Sequence, residues 1–287
     1  MTPPTAADPF WGPVTANSKS DYALTRYIAE FINTLSNVVY SREHLIYGIY
    51  GLRKLRQSCN ADILRALPYW GLMAVGVCSA AFHVSLKYHT QMMDDLSMMF
   101  ATTPVLHRVL TVNSSRQTST NLAYVMASLL MVFITYHVWT DELNLHFTLF
   151  GGMIVVIGVR TMQLVDSRTV PGSTARGQIW GIIRFGAFIF SLGFWLWLLE
   201  NWTCDFLKSA REVIGLPLGF FLELHGWWHV CTGIGAYIFI ASVDHLISGE
   251  ELKDIEGSFA WPAHWASGSV FAGREVAINK SASGKQQ

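Results

Sequence analysis

Two histidines four residues apart, His225 and His229, stand in the apolar stretch ELHGWWHVCTGIGAY. Residues four apart share one face of a helix, so both imidazoles can offer a nitrogen to the same metal ion. A third ligand from another helix leaves one position open for water, which is the arrangement of catalytic zinc sites. His83, in the stretch VCSAAFHVSLKYH, is the candidate third ligand. The pattern therefore predicts a Zn²⁺ site at His83, His225 and His229.

Polar side chains near this predicted site supply the remaining parts of a hydrolase. Zinc lowers the pKa of a bound water from 15.7 to about 7, and a nearby carboxylate can move the proton. Asp94 is the predicted carboxylate, with its neighbour Asp95 as the alternative, because adjacent residues point about 100° apart on a helix. Ser79 precedes His83 by four residues, so its hydroxyl shares that face and can help to orient the water or to stabilise an oxyanion.

Six other histidines have no comparable partners in the sequence. A single histidine in a membrane protein is more often a packed, hydrogen-bonded group than a metal ligand. We interpret them as interfacial or loop residues: His44, His89, His137, His146, His245 and His264.

The elements that position these residues are membrane helices. Of the 287 residues 51% are hydrophobic and 14% are charged, whereas soluble domains average about 25% charged residues. With a net charge of +0 nothing in the sequence is basic enough to indicate nucleic-acid binding, and nothing indicates an obligate protein partner. Apolar runs of about 20 residues without alternation predict an all-α, seven-transmembrane-helix bundle rather than a β-barrel. The predicted segments are 27–52, 63–86, 90–112, 119–139, 145–165, 179–199 and 217–247.

The distribution of Lys and Arg sets the expected orientation in the bilayer. These residues are concentrated around the linkers after segments 1, 3 and 5, which the positive-inside rule assigns to the cytosol. The chain is then expected to have a luminal segment (1–26), a seven-helix domain (27–247) and a flexible cytosolic tail (248–287). With this topology Glu30 and the predicted zinc and proton-transfer residues lie at similar depth in the luminal half of the membrane. Ionisable groups inside membrane segments are usually functional.

Four motifs in order along the chain resemble one known family. They are FWGP, YIAEFINTLSN, SAAFHVSLKYHTQMMDDLSM and HGWWHVCTGIGAY, and the resemblance spans about 10–246. Together they are similar to the alkaline ceramidases, membrane amidases of a seven-helix hydrolase superfamily that includes the adiponectin receptors. The resemblance implies Zn²⁺ bound by His83, His225 and His229, with Ser79 and Asp94 at the catalytic positions. It also implies a ceramide-type lipid substrate, cleaved to a fatty acid and a sphingoid base, and a location in the endoplasmic reticulum or Golgi.

The acidic run that binds Ca²⁺ in this family is altered here. The region reads NSKSDYALTRYIAE, in which Asp21 and Glu30 match family positions, while a middle glutamate is missing and Lys19 is close by. Calcium requires six to eight oxygen ligands. The resemblance therefore implies at most a reduced Ca²⁺ site built on Asp21 and Glu30.

Two further departures from the family concern Cys204 and the first helix. Cys204 matches one half of a family disulfide, but no cysteine precedes Cys59, so that disulfide is expected to be absent. The charged motif SREH (41–44) lies in the middle of the first predicted helix. It is consistent with a helix that breaks or ends early, with an Arg42–Glu43 ion pair facing the bundle, or with an error in the gene model.

Two other functions remain open at this point. One is hydrolysis of a different N-acyl lipid, and the other is a non-catalytic, zinc-containing lipid receptor or sensor. Turnover of ceramide separates both from the amidase.

Overall fold

The computed structural model describes residues 27–39, 41–58, 62–215, 217–248 and 259–272. Across these residues the chain is helical and contains no β-strand, which confirms the all-α prediction. The α-helices are α1 (Phe31–Val39), α2 (Ser41–Gln57), α3 (Ile63–Ser85), α4 (Tyr88–Thr111), α5 (Arg116–Thr140), α6 (Leu143–Arg168), α7 (Thr174–Ile214), α8 (Leu224–Ile247) and α9 (Ala263–Ala266), and two 3₁₀ helices cover Leu218–Leu222 and Val270–Ala272.

Five helices in the described part of the chain are long and apolar enough to cross a bilayer, namely α3, α5, α6, α7 and α8. Their large outward-facing apolar side chains, such as Val132 and Val155, suit a lipid environment. α4 is 24 residues long, but its hydropathy is lowered by polar residues that include Asp94 and Asp95. The chain is thus an integral membrane protein by composition, and the count of seven spans remains a prediction.

The first predicted segment, 27–52, is divided between two helices. α1 ends at Val39, and α2 begins at Ser41, so that the SREH motif forms the first turn of α2. Of the three interpretations of that motif, this division agrees with a break in the helix. The side chains of residues 41–44 lie outside the described part of the chain, and the Arg42–Glu43 ion pair remains untested.

α7 continues well beyond the predicted end of its segment at Leu199. It extends to Ile214, with a kink at Thr203, where the backbone leaves helical geometry (φ −119°, ψ 20°). The Thr203 hydroxyl donates a hydrogen bond of 2.6 Å to the Leu199 carbonyl oxygen, and side-chain insertion of this kind is a known cause of bending. The predicted segment 179–199 therefore covers only part of α7, because the polar residues after Leu199 continue the helix.

α8 is the central helix of the bundle. In its most apolar window 67% of residues are buried, compared with 11–33% for the other four candidate spans. Glycines permit its close contact with α7: a Cβ at Gly235 would lie 2.7 Å from Phe190 Cβ, and one at Gly186 would lie 2.5 Å from Ile238 Cγ2. The small residues of GIGAY thus serve helix packing, as small residues commonly do in membranes.

A buried ionic group ties three helices together near the end of α8 opposite its histidines. Arg65 on α3 donates two hydrogen bonds of 2.9 Å to the two carboxylate oxygens of Asp244 on α8. Arg108 on α4 donates a third, of 2.8 Å, to Asp244 Oδ1. Because all three side chains are largely shielded from solvent, each charge depends on the others for compensation.

Residues 259–272 pack against the same end of the bundle. Tyr237 Oη accepts a hydrogen bond of 2.8 Å from the Ala260 backbone N–H, and Tyr47 Oη donates one of 2.9 Å to the Trp261 carbonyl. Ala263 and Ala266 are fully buried. A flexible tail was predicted from residue 248 onward, and for residues 259–272 that prediction was wrong, because their small and aromatic side chains complete the core.

Candidate metal centre

Three histidines meet at one end of the bundle, where α3 and α8 lie side by side. His83, near the end of α3, and His225 and His229, in the first two turns of α8, place a ligand nitrogen each within 4.8 Å of one another. The ring centroids of His83 lie 5.0 Å from those of both His225 and His229. The structure therefore brings together the three residues that the sequence proposed as one cluster.

Glu30 fixes the orientation of the His83 ring. Its Oε2 lies 2.5 Å from His83 Nδ1, and backbone bonds from Ala29 N to Val84 O and from Glu30 N to His83 O hold the two segments together. With Nδ1–H donated to the carboxylate, the lone pair of His83 resides on Nε2. That nitrogen is buried and has no hydrogen-bond partner among the described residues.

His229 is held by residues of α1. Ser36 Oγ and Asn37 Nδ2 each lie 3.0 Å from His229 Nδ1. The Ser36 hydroxyl donates its own proton to the Asn33 carbonyl at 2.7 Å, so its oxygen is free to accept Nδ1–H. Asn37 can instead donate to an unprotonated Nδ1, so the pair accommodates either tautomer of His229. When Nδ1 carries the proton, the Nε2 lone pair is available for a metal.

The donor set fits zinc. Three imidazoles from two helices match the ligand number of catalytic zinc sites, and an unpartnered, buried imidazole nitrogen is the kind of atom that a metal satisfies. Partners such as Glu30 and Ser36, which hold the second nitrogen of a ligating histidine, are typical of such sites.

Asp94 and Ser79 lie beside this cluster. The Ser79 hydroxyl lies close to the Asp94 carboxylate, and Asp94 interacts electrostatically with His83. Ser79 is 3% exposed, so the carboxylate is approached by a hydroxyl that water does not compete for. The arrangement joins three potential metal ligands, a carboxylate and a hydroxyl at one buried location.

Comparisons with known proteins point to one family. A sequence model described as ceramidase matches residues 18–271. The chain is 31% identical to alkaline ceramidase YPC1 of Saccharomyces cerevisiae over 258 residues, which cover 82% of this chain and 78% of the relative. It is 26% identical to alkaline ceramidase 3 of Mus musculus over 245 residues, covering 84% and 87%.

The chain belongs to the ceramidase family. The family match extends across α1 to α9, and it contains the three histidines, Ser79 and Asp94. The ceramidase assignment and the metal-binding geometry therefore concern the same part of the molecule.

A second buried cluster of this ceramidase surrounds Asp95. His137 Nε2 lies 3.3 Å from Asp95 Oδ2, and His146 Nε2 donates to the Asp95 carbonyl oxygen at 3.0 Å. Both histidines are fully buried, with ring centroids 5.3 Å apart. Their interpretation as interfacial or loop residues was therefore wrong. His137 lies on α5 and His146 on α6, and the sequences of these two helices do not reveal that their shared partner, Asp95, comes from α4. Asp95 is engaged in this cluster, which argues against it as the alternative proton carrier.

The possible calcium site cannot be built from the residues that the structure describes. Asp21 lies outside them, and Oε2 of Glu30 is occupied by His83 and by Asn33 Nδ2, the latter at 3.1 Å. Calcium binding at Asp21 and Glu30 therefore remains a prediction.

Several residues of the site were missed from the sequence. Ser36 and Asn37 were not singled out, and Glu30 was assigned to calcium rather than to His83. Glu200 on α7 lies one residue beyond the predicted segment 179–199. The only signal in the sequence that could have indicated these residues is the presence of a polar side chain near the predicted luminal end of a membrane helix.

Proposed function

We propose that this member of the ceramidase family hydrolyses the amide bond of ceramide and releases a fatty acid and a sphingoid base. The observation that carries the proposal is the buried group of three histidines beside the Ser79–Asp94 pair, in a chain of this family. The relatives that share most of its length are alkaline ceramidases by name.

We infer that His83, His225 and His229 hold Zn²⁺. When bound, zinc acts as a Lewis acid and makes water a nucleophile at neutral pH. Glu30 and Ser36 orient two of the three rings, because each binds the Nδ1 atom and leaves Nε2 directed elsewhere. All three rings then remain neutral ligands, as metal binding requires.

Asp94 is the proposed proton carrier. During hydrolysis the water oxygen bonds to the amide carbonyl carbon, and the C–N bond then breaks. Asp94 accepts the proton that the water loses and delivers it to the leaving nitrogen. Ser79 lies close to the Asp94 carboxylate, so its proposed role is to donate its hydroxyl proton to Asp94 and to position that carboxylate. The same proton is then not available to an oxyanion.

The location of the site suits an amphipathic lipid. The histidines lie near the ends of α3 and α8, so a headgroup can reach them while the tails stay among apolar helices. In the proposed topology α1–α2 and α4 join the five apolar helices to make seven spans. The N-terminus is then luminal, the C-terminus is cytosolic, and the protein resides in the endoplasmic reticulum or Golgi.

The test is hydrolysis of ceramide by detergent-purified protein in H₂¹⁸O, with fatty acid release followed by mass spectrometry. We expect one ¹⁸O atom in the released fatty acid, loss of turnover after chelation, and recovery when Zn²⁺ is returned. Asp94→Asn is the inactive comparison, and Asp205→Asn, an exposed aspartate of α7, is its matched control. Zinc-loaded protein that cleaves no ceramide would contradict the proposal and favour another N-acyl lipid or a lipid receptor.

A further inference from the structure

Glu200 on α7 lies at the edge of the histidine cluster. Its carboxylate lies close to the backbone N–H of His225 in the first turn of α8. It is within electrostatic range of both His83 and Glu30. The side chain is 17% exposed, so this carboxylate faces mainly into the protein.

One oxygen of this carboxylate has no partner. Glu200 Oε2 is shielded from solvent, and no hydrogen-bond donor for it is found among the residues that the structure describes. A buried acceptor without a donor is unfavourable and calls for an explanation.

Arg211 does not supply the missing donor. Its Nη1 donates to Glu223 Oε2 at 3.0 Å and to the Leu222 carbonyl at 3.1 Å. The same nitrogen is 3.8 Å from Glu200 Oε1, beyond hydrogen-bond distance. Arg211 therefore fixes the start of α8 through Glu223, and Oε2 of Glu200 is left without a donor among the described residues.

The chemistry of the proposed substrate identifies a donor, and this step rests on the proposed function. A sphingoid headgroup carries a primary hydroxyl at C1, a secondary hydroxyl at C3 and the amide N–H. The C1 hydroxyl is the donor farthest from both tails. Glu200 lies toward the polar continuation of α7, which carries Asn201, Lys208 and Arg211, and away from its apolar part.

We propose that Glu200 accepts a hydrogen bond from the C1 hydroxyl of the substrate and so selects N-acyl lipids that carry a primary alcohol. A site built around a hydrogen bond to a substrate hydroxyl discriminates strongly against the analogue that lacks it, because its polar group is then left unpaired. Glu200 is thus a specificity residue that contacts substrate without taking part in proton transfer.

The experiment compares ceramide with its 1-deoxy and 3-deoxy analogues. For wild-type protein we expect kcat/KM to be at least about tenfold higher with ceramide than with 1-deoxyceramide. In Glu200→Leu we expect that ratio to fall below about threefold, mainly through KM for ceramide. Glu200→Gln retains one acceptor oxygen and should give an intermediate ratio.

A binding measurement makes the test independent of turnover. Metal-free wild-type protein should bind ceramide more tightly than 1-deoxyceramide, and Glu200→Leu should abolish the difference in Kd. Glu212→Gln, an exposed glutamate of the same helix, is the matched control and should leave every ratio unchanged. Metal content and melting temperature of each variant show whether the fold is intact.

The outcomes separate the two claims. If wild-type protein binds ceramide selectively without cleaving it, and Glu200→Leu abolishes that selectivity, the proposed function fails and the role of Glu200 stands. If ceramide is cleaved while Glu200→Leu and Glu200→Gln retain the wild-type ratio, the role of Glu200 is contradicted. If Glu200→Leu lowers the ratio of kcat/KM between ceramide and 3-deoxyceramide but leaves the ratio with 1-deoxyceramide unchanged, the assignment to the C1 hydroxyl is overturned.

Discussion

Asp94 and Asp95 are consecutive in the chain, yet they belong to two different buried clusters. Asp94 lies close to Ser79 and interacts electrostatically with His83, whereas Asp95 lies 3.3 Å from His137 Nε2. The turn of α4 that carries them thus directs one carboxylate to the proposed metal centre and the other to α5 and α6. Two carboxylates of the same type, side by side, should therefore differ in function.

Asp94→Asn is expected to retain the metal and to lose turnover. Removal of a general acid–base group typically lowers the rate by about 10²–10⁴-fold, and Asp94 holds no ligand position among the three histidines. The measurements are kcat with ceramide and metal content of the same preparation.

Asp95→Asn is the comparison for that prediction. It should keep kcat within about tenfold of wild type, with a lower melting temperature, because a buried hydrogen-bonded pair is weakened. Equal loss of turnover in both variants would contradict the assignment of the two roles.

Ser36→Ala should weaken metal binding. Ser36 Oγ lies 3.0 Å from His229 Nδ1, and loss of such a partner typically lowers metal affinity by about 10–100-fold. A competition titration against a chromophoric chelator measures this change directly. Ser128→Ala, an exposed serine of α5, serves as the control, and an affinity equal to that of wild type in Ser36→Ala would show that Asn37 alone suffices.

Asp244→Asn should destabilise the bundle without altering its chemistry. The change leaves Arg65 and Arg108 buried without their shared carboxylate, and breaking a buried ion pair costs about 3–5 kcal/mol. Denaturation of the detergent-solubilised protein should show a clearly lower midpoint, while protein that remains folded keeps its metal. An unchanged midpoint would mean that the two arginines find other compensation, and Asp62→Asn, at an exposed position, controls for the loss of a negative charge.

Glu142 gives a pH-dependent contribution to stability at the start of α6. Its carboxylate accepts hydrogen bonds from the backbone N–H groups of Leu145 and Asn144 at 2.6 and 3.0 Å, and these bonds lower the pKa of Glu142 below its ordinary value of 4.5. A carboxyl group with a lowered folded-state pKa stabilises the protein above its unfolded pKa, and the contribution is lost as the pH falls through the folded value.

Glu142→Gln should therefore lower the melting temperature at pH 7, and the difference from wild type should diminish below about pH 4.5. Thermal melts across that range provide the measurement, with Glu212→Gln as the control. A difference that is constant with pH would assign the effect to something other than the ionised cap.

The sequence was sufficient for the histidine cluster because its signals are local and regular. His225 and His229 share a helix face, and alternating helix directions place His83 at the same depth. Ser79 and Asp94 followed from their distance to these residues in the chain. The predicted segments also located α3, α4, α5 and α6 to within three residues at each end, whereas α8 begins at Leu224, seven residues after the predicted start at 217.

What the sequence could not provide were contacts between distant helices. The pairing of Asp244 with Arg65 and Arg108, and of Ser36 with His229, depends on how the helices rotate and pack. The same is true of His137 and His146, whose partner lies on α4. The extension of α7 beyond Leu199 was missed because polar residues can end a membrane span without ending a helix.

The most direct test of the central claim is the metal content of purified protein, measured by elemental mass spectrometry for wild type, His225→Ala and His89→Ala. His89 is an exposed histidine in the first turn of α4 and serves as the control. We predict one zinc per chain in wild type and in His89→Ala. In His225→Ala we predict a loss of zinc that is accompanied by loss of ceramide hydrolysis. Full zinc occupancy in His225→Ala, or ceramide hydrolysis by protein that contains no metal, would contradict the central claim.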